Sequence, residues 1–323
     1  MKWRTRVTEL LGGQYPILQG ALHGFGNWQF AAAVAETGAH GTLTASVSKT
    51  PERLRDDIRR CREATDKSFG VNLTFGACPR IEEMLEACLE ERVGVVETAA
   101  YIPKLLASRI QASGATWIHK TARVKDALHA EKLGADAVIV VGLEGVGFKH
   151  PLQLPTLTTT VLAARKLKIP FIAAGGIADA RGLLGAMAMG AEGIMMGTAF
   201  LATHECPIST AAKEAIVQTA ADDPQLLHRV LAPPDPEAYK EVISMRRNVP
   251  LDKWLGMLER VNLKDPNWKA AWGNETEIKA RLNKLVSLAA GLIDHVPTVK
   301  ELIDGIIRDA EQIVAGRQFL KPE

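Results

Sequence analysis

The feature that most constrains the fold is an alternation of short apolar runs and amphipathic helical segments, repeated eight times in the first two thirds of the chain. The runs are continuously apolar, which is typical of parallel strands covered by helices on the outside. Eight such units can close into a barrel. An open, doubly wound sheet is the alternative, but the GxGxxG turn that usually follows its first strand is absent. The sequence therefore predicts an α/β fold, a (β/α)8 TIM barrel.

The predicted strands are short and end at glycines or polar residues. Thr50 and Pro51 supply an N-cap and a first helical residue for the helix after the second strand. Similar patterns at Gly134–Gly142 and Gly190–Thr198 favour a repeated unit. The eight predicted strands are Tyr15–Gln19, His40–Ala45, Phe69–Leu73, Val93–Glu97, Thr116–Lys120, Ala135–Val141, Phe171–Ala174 and Gly193–Met196.

The 323 residues suffice for one large barrel and a smaller appendage. We assign residues 1–220 to the barrel. Residues 221–280 contain many prolines and the tryptophans Trp254, Trp268 and Trp272 among short helical runs, which predicts a helical cap that contributes to substrate binding. Residues 281–323 form a C-terminal segment, in which Val299–Val314 reads as one amphipathic helix that returns to the barrel.

Composition excludes several classes of protein. The net charge of +2, with acidic residues interleaved in the basic stretch 52–63, argues against a nucleic-acid partner. Four cysteines without a CxxC pair indicate reduced thiols, and the eight histidines lack the HxH or HExxH spacing of a metal site. The N-terminus lacks a signal-peptide pattern, and no apolar run reaches the ~18 residues of a membrane span. We expect a cytoplasmic enzyme with no membrane partner. The sequence does not decide between a monomer and a homodimer.

Glycines that directly follow the seventh and eighth strands point to a phosphate site. In such a barrel the active site lies where the strands end and the βα-loops begin. Gly175 and Gly176 precede one helix, and Gly197 and Thr198 begin another. Glycine lets backbone N–H groups approach an anion, and a helix N-terminus adds its dipole. The alternative is two tight turns that need glycine for geometry alone. Several phosphorylated metabolites and FMN would satisfy such a site.

Five segments together resemble the nitronate monooxygenase family, formerly called 2-nitropropane dioxygenases. The wider group includes the flavin-type enoyl-acyl-carrier-protein reductases. The resemblance covers most of the chain and is densest from Thr116 to Thr203. The segments are PILQG at 16–20, FGVNL at 69–73, HKTARVKDALHAEKLGADAVIVVGLEG at 119–145, IAAGGIADARGLLGAMAMGAEGIMMGTAFLAT at 172–203 and AAGLIDHVPTVKELI at 289–303.

The resemblance implies FMN as cofactor, with its phosphate on the four loop residues named above. It also implies that Asn72 lies near the isoalloxazine and that Lys120 lies near its polar edge. A strand-end turn and a solvent-facing strand terminus are the structural alternatives for these two residues. His119, which alternates with Lys120, is expected to face the other way. The full predicted cofactor-binding set is Gly20, Ala21, Leu22, Asn72, Lys120, Gly142, Gly145, Gly175, Gly176, Gly197 and Thr198.

The chain departs from the family after the sixth strand. Members that oxidise nitronates carry G-x-E-A-G-G-H there, with the histidine as base, whereas here Phe148 stands in the histidine position. Phe148 cannot accept a proton, so we place it with Lys149 in the substrate pocket. His150 and His23 are the candidate replacement bases, and Lys120 completes the predicted catalytic set. A surface position for His150 and a solvated Lys149 are the alternatives.

The sequence is compatible with two flavin-dependent activities and with one function that does not involve flavin. The first is hydride transfer from NADH or NADPH through FMN to a small acceptor, a quinone or an activated alkene, which needs no side-chain base. The second is oxidation of alkyl nitronates with O₂. The third is a barrel that binds a phosphorylated ligand without flavin. Glu144 is expected to fix its glycine-rich loop by bonding backbone N–H groups.

Overall fold

Eight parallel strands form the wall of the barrel in a computed structural model of the chain, which describes residues 2–101, 104–147, 149–262, 264–269 and 286–316. Each predicted strand is present, with ends shifted by a few residues, and the predicted barrel is confirmed. The strands are β1 Ile17–Gln19, β2 Gly41–Thr44, β3 Phe69–Thr74, β4 Val95–Ala99, β5 Thr116–Thr121, β6 Ala137–Val141, β7 Phe171–Ala174 and β8 Gly193–Met196.

The seam between β1 and β2 closes the barrel. All other neighbouring strands pair in a continuous parallel ladder, in the order β1-β8-β7-β6-β5-β4-β3-β2. At the seam a single bridge joins Leu18 and His40, and the Gln19 N–H donates to the His40 carbonyl at 2.9 Å. The side-chain oxygen of Gln19 accepts from the Thr42 N–H at 3.1 Å. A side chain therefore supplies a contact that backbone pairing supplies elsewhere.

Helices cover the outside of the barrel. The predicted start of one of them is confirmed, since Thr50 accepts from the Arg53 N–H and Pro51 is the first helical residue. The helices of the βα units are α2 Trp28–Glu36, α3 Ala45–Ser48, α4 Pro51–Ala64, α5 Ile81–Glu90, α6 Lys104–Ser113, α7 Val124–Lys132, α8 Thr156–Lys166, α9 Ala180–Ala188 and α10 Thr198–Leu201.

The barrel contains two apolar cores. The larger one fills the space between the strands and the outer helices. The smaller one lies inside the barrel and includes Ile118, Ile139 and Ile172. A helix that the sequence analysis did not predict, α1 Arg6–Leu11, packs Val7 and Leu11 into this inner core. The N-terminal end of the barrel is therefore plugged, and the opposite end is left for a ligand.

The residues after the barrel form a helical cap with a core of its own. Helices α11 Thr210–Val217 and α12 Pro224–Leu231 pack on the larger barrel core, whereas α13 Pro236–Ser244 and α14 Leu251–Asn262, with a 3₁₀ turn at Met245–Arg247 between them, carry the separate core. Val242, Trp254 and Trp268 are buried together in this core. Trp272 and the rest of 270–285 lie outside the described residues.

The last helix, α15 Val299–Gly316, packs against the barrel helices α9 and α2. Its buried face includes Ile303 and Ile307. The short 3₁₀ helix Leu288–Leu292 lies before it. Within the described ranges, no helix combines the length and the apolar character that crossing a bilayer requires.

All four cysteines are buried and unpaired. Burial raises the pKa of the Cys61, Cys78 and Cys206 thiols to about 12. Such thiols stay protonated and behave as small apolar side chains. They contribute packing to the barrel rather than chemistry.

Candidate active site

A cavity of about 1410 Å³ opens at the carboxyl ends of the strands, beneath the cap. Loops after the strands form its floor and walls, and α13 and α14 of the cap contribute Tyr239, Trp254 and Leu258. Pockets for one small molecule usually measure about 300–1,000 Å³. The space therefore admits a cofactor and a second ligand together.

Glycines after β7 and β8 form a cradle in one wall. Gly175 and Gly176 adopt φ values of +106° and +71°, which a residue with a side chain rarely does. No described residue accepts a hydrogen bond from the N–H of Gly176 or Gly197. A Cβ on Gly197 would meet only the Leu22 side chain, at 4.0 Å, so this glycine borders open space. The cradle offers free donors to an anion in that space.

The sequence predicted that helix dipoles help to hold an anion at this cradle, but the structure leaves them a small part. The Asp179 carboxylate accepts from the Gly182 N–H at 2.8 Å and so caps α9 with a negative charge of the protein. Helix α10 has only four residues, so its dipole is small. The hydroxyl of Thr198 bonds Ser287, the Oγ atoms lying 2.8 Å apart. The cradle therefore presents free backbone N–H groups, one of which belongs to Gly197, the N-cap of the short helix α10.

The loop after β1 lies beside this cradle, because β1 pairs with β8, and its residues Gly20, Ala21, Leu22 and His23 face the cavity. The Nδ1 atom of His23 lies 3.0 Å from the Ser46 hydroxyl. Burial, and then the positive charge of Lys120, lower the pKa of His23 to about 4. His23 is therefore a neutral imidazole at physiological pH.

Lys120 and Asn72, which were both predicted to lie near the flavin ring, lie at different depths in the barrel. Lys120 at the end of β5 lines the cavity. Asn72 is fully buried below it, donating to Glu97 at 2.9 Å and accepting from the Thr74 hydroxyl at 2.7 Å. Thr74 takes its place in the cavity wall. Burial raises the pKa of Glu97 to about 7, opposed by Lys120 and by the bond from Asn72.

The loop between β6 and α8 is held by Glu144. This carboxylate accepts from the N–H of Thr156 at 2.8 Å and from its hydroxyl at 2.6 Å, which agrees with the structural role expected for it. Gly145 faces the cavity. Gly142 lies behind the wall, because a Cβ there would meet the Thr156 side chain at 2.0 Å. Phe148 lies outside the described residues.

The alternative of a solvated Lys149 is wrong. Its ammonium group donates to the carbonyls of Leu143 at 2.5 Å and Val230 at 2.7 Å, and its own carbonyl accepts from Asn262 at 3.0 Å. Burial lowers the pKa of Lys149 to about 8. Lys149 thus joins the β6–α8 loop to α12 and α14 of the cap.

His150 also lines the cavity, half-buried, with its pKa lowered chiefly by burial. Its Nδ1 accepts from the Leu152 N–H at 3.0 Å. The neutral ring therefore carries its proton on Nε2. In this tautomer the free ring nitrogen can donate a hydrogen bond but cannot accept a proton, which argues against a role as base.

Charged residues beyond those predicted from the sequence complete the wall. The helix predicted from Thr121 begins at Val124, so that residues 121–123 bend over the cavity. Arg123 thereby enters the wall, paired with Asp126 at 2.7 Å. Among the described residues, seven lysines or arginines line the cavity against three acids, so the wall favours anionic ligands. The cations are Lys49, Arg53, Lys104, Lys120, Arg123, Lys149 and Arg246, and the acids are Glu82, Asp126 and Glu259.

Glu259 on α14 is another residue that was missed, and it lies 4% exposed at the cavity surface. Its position has a sequence signal: it follows Leu255 by four residues and so shares the apolar face of an amphipathic helix. Burial of a carboxyl on an apolar face without a partner costs free energy of folding, so such a position indicates a functional role.

These features fit the FMN that the resemblance implies. The cradle supplies unpaired N–H groups and open space for a phosphate, as Gly176 and Gly197 show. Lys120 supplies a cation across the cavity floor. The loop Gly20–Leu22 offers backbone that a flat ring can approach.

Comparison with known proteins places this geometry in a family. The family model for nitronate monooxygenase matches residues 4–82 and 77–309. A dehydrogenase of a hydroxy-methyl-oxo-octahydroindene-carboxyl-CoA from Rhodococcus jostii is 31% identical, over 95% of this chain and 96% of its own. A probable nitronate monooxygenase from Staphylococcus aureus is 30% identical, over 68% of this chain and 74% of its own.

Solved structures agree with the family match. The structure of FabK from Thermotoga maritima superposes with a TM-score of 0.75 at 32% identity, covering 97% of both chains. A nitroalkane oxidase from Streptomyces ansochromogenes superposes with a TM-score of 0.74 at 21% identity, covering 96% of this chain and 99% of its own, and shows the shared fold. Both likenesses extend over the barrel and the cap.

Proposed function

Because the chain belongs to the nitronate monooxygenase family of flavin-dependent oxidoreductases, we propose that it binds FMN and reduces a small acceptor with NADH or NADPH. The acceptor is a quinone or an activated alkene. The balance is one nicotinamide, one acceptor and one proton consumed, with oxidised nicotinamide and the two-electron-reduced acceptor formed. Bound FMN would supply the hydride relay, and the protein supplies orientation and electrostatics.

The observation that carries this proposal is the size of the cavity together with its cationic wall. The volume of about 1410 Å³ exceeds what one ligand needs. The cradle occupies one side, and the cations, such as Arg123 and Arg246, line the rest. A nicotinamide dinucleotide carries phosphates that such a wall attracts. The remaining space is roofed by apolar side chains of the cap, including Trp254 and Leu255.

The residues have separate roles in this proposal. Gly176 and Gly197 bind the cofactor phosphate through their N–H groups, and the Gly20–Leu22 loop orients the ring. Lys120 stabilises negative charge at the cavity floor. The cap excludes water from the reacting groups, since α13 and α14 cover the cavity. The Rhodococcus relative is named for a CoA thioester, so thioester-activated alkenes belong among the acceptors to test.

Nitronate oxidation is the second candidate. The Staphylococcus relatives carry that name, and His150 lies in the cavity two positions after Phe148. The Leu152 N–H occupies the Nδ1 lone pair of His150, however, which leaves this ring without a free acceptor. A nitronate is already deprotonated, so this activity does not require a base to begin.

The test is turnover of the FMN-loaded protein with matched substrates. NADH and NADPH are each supplied with a quinone, an enone and an enoyl-CoA, and alkyl nitronate is supplied with O₂ alone. Nicotinamide-dependent reduction of any of these acceptors is the expected result. Turnover of nitronate alone would replace the proposal by the family's named activity. Failure to bind FMN would point to a different phosphorylated ligand.

A further inference from the structure

The side chain of Glu259 reaches the cavity from α14 with nothing in the described part of the chain bonded to its Oε2 atom. It is 4% exposed, and its neighbours on the same helix face, Leu255 and Leu258, also line the cavity. A buried carboxyl oxygen without a partner costs free energy of folding. A ligand in the cavity is the partner that the position leaves available.

The charges that face Glu259 come from both sides of the cavity. Lys120 faces it from β5, and Lys149 faces it from the β6–α8 loop. The Lys149 ammonium is engaged by two carbonyls. The next residue on α14, Arg260, is paired with Asp265 at 2.9 Å. Two cations therefore lie near Glu259 without neutralising it.

Burial sets the protonation state. It raises the pKa of Glu259 to about 8, although Lys120 and Lys149 oppose the rise. The carboxyl is therefore protonated at neutral pH, and the two cations stabilise the carboxylate once the proton has left. This is the state that a proton donor needs near neutral pH.

Other groups of the cavity are less suited to donate. Glu97 is also buried, but Asn72 bonds it and it lies below the floor, outside the cavity wall. His23 has lost its proton at neutral pH. Glu259 lies against Lys149, the residue that directly follows position 148, where nitronate-oxidising members of the family carry their histidine. The carboxyl of Glu259 therefore reaches the cavity from the cap, close to position 148, where this chain lacks the histidine of the family.

We propose that Glu259 is the proton donor of the cavity and that it contacts the acceptor. The inference rests on the function proposed above and assigns one of its steps. When an activated alkene accepts hydride at one carbon, the Glu259 O–H bond breaks and its proton forms a C–H bond at the neighbouring carbon. The electron pair stays on the carboxylate, beside Lys120 and Lys149. Water reprotonates the group before the next turnover.

The test compares Glu259→Gln with Glu241→Gln, an exposed acid of α13 whose partner is the exposed Lys269. Both variants keep the size of the side chain. The FMN-loaded proteins are reduced anaerobically, by NADPH and separately by light, and mixed with 2-cyclohexenone or with a benzoquinone. Reoxidation by the enone is expected to slow about 100-fold in Glu259→Gln only. Reduction by NADPH and reoxidation by quinone, whose oxygens take protons from water, are expected to change less than about threefold.

A readout without cofactor completes the test. Infrared difference spectra of the apoproteins, recorded between about pH 6 and pH 10, report protonated carboxyls directly. The wild type is expected to lose a carboxyl band that Glu259→Gln lacks and that Glu97→Gln retains. Restoration of part of the enone rate in Glu259→Asp would support proton transfer over a packing role.

The outcomes separate the inference from the function it rests on. Enone reoxidation at the wild-type rate in Glu259→Gln, or an infrared band unchanged in that variant, would overturn the proton-donor role. If light-reduced wild type is not reoxidised by enone or quinone, the proposed function fails, and the donor role falls with it. If light-reduced protein reacts but NADPH does not reduce it, only the electron source is wrong and the role of Glu259 stands.

Discussion

The barrel and the cap treat their buried carboxyls differently. The end of the barrel over the plug helix α1 is apolar, and the buried Glu97 carboxyl above it accepts a hydrogen bond from Asn72. The cap has a small apolar core and buries the pair Arg260–Asp265, together with the carboxyl of Glu259, whose Oε2 atom has no partner in the described part of the chain. Buried charge is costly unless it has a task or a partner. The difference supports the proposal that the barrel binds FMN and that the cap acts on the second ligand.

The largest expected difference between the stabilities of barrel and cap comes from breaking the buried pair Arg260–Asp265. Asp265→Ala leaves Arg260 buried without this carboxylate, which costs about 3–5 kcal/mol. We expect α13 and α14 to lose hydrogen-exchange protection while the barrel strands keep theirs. Glu241→Gln, which removes the exposed pair with Lys269, is the control and should change stability by less than about 1 kcal/mol. Equal loss of protection in barrel and cap would show that the two regions unfold together.

Filling the cradle tests the barrel's part. Gly197 has a φ of −116° and open space at its Cβ position, so Gly197→Val is expected to fold. Its side chain would occupy the space in front of the free N–H groups, and FMN affinity should fall about 100-fold, or about 2.8 kcal/mol. Flavin fluorescence quenching measures this, with Gly94→Ala, also in open space but outside the cavity wall, as control. Undiminished affinity in Gly197→Val would place the phosphate elsewhere.

Lys149 joins the β6–α8 loop of the barrel to the cap, and its replacement should weaken the contact between them. Lys149→Met leaves the carbonyls of Leu143 and Val230 without their donor, which costs about 1–3 kcal/mol. Because these bonds fix the cap over the cavity, we expect KM for the acceptor to rise while FMN affinity stays. Lys253→Met, on the exposed side of α14, is the matched control. A change confined to FMN affinity would contradict this assignment.

The smallest effect is a pH dependence of stability. The folded-state pKa of Glu259 is raised from 4.5 to about 8, so its contribution to stability is complete below about pH 4.5 and is lost as the pH rises towards 8. Glu97, raised to about 7, acts in the same direction. From about pH 5 to pH 6, the free energy of unfolding of the wild type, measured by thermal unfolding, should therefore fall by about 1 kcal/mol relative to that of Glu259→Gln. Parallel curves for the two proteins would mean that Glu259 is ionised when folded.

The same contrast explains what the sequence could predict. The strands and the glycines after β7 and β8 follow from local pattern, because topology brings all strand ends to one face. Asn72 was harder to place, since both faces of a parallel strand are buried and no alternation shows which residue reaches the cavity. Lys149 and Glu259 lie about a hundred positions apart, and only the packing of the cap on the β6–α8 loop brings them together.

An anaerobic absorbance spectrum of the FMN-loaded protein, taken before and after one equivalent of NADH or NADPH, tests the central claim most directly. The account predicts an oxidised-flavin spectrum that the reduced nicotinamide bleaches, since the cavity has space and positive charge for both ligands. A flavin that neither nicotinamide bleaches, but that alkyl nitronate does, would contradict the claim and return the chain to the named activity of its family.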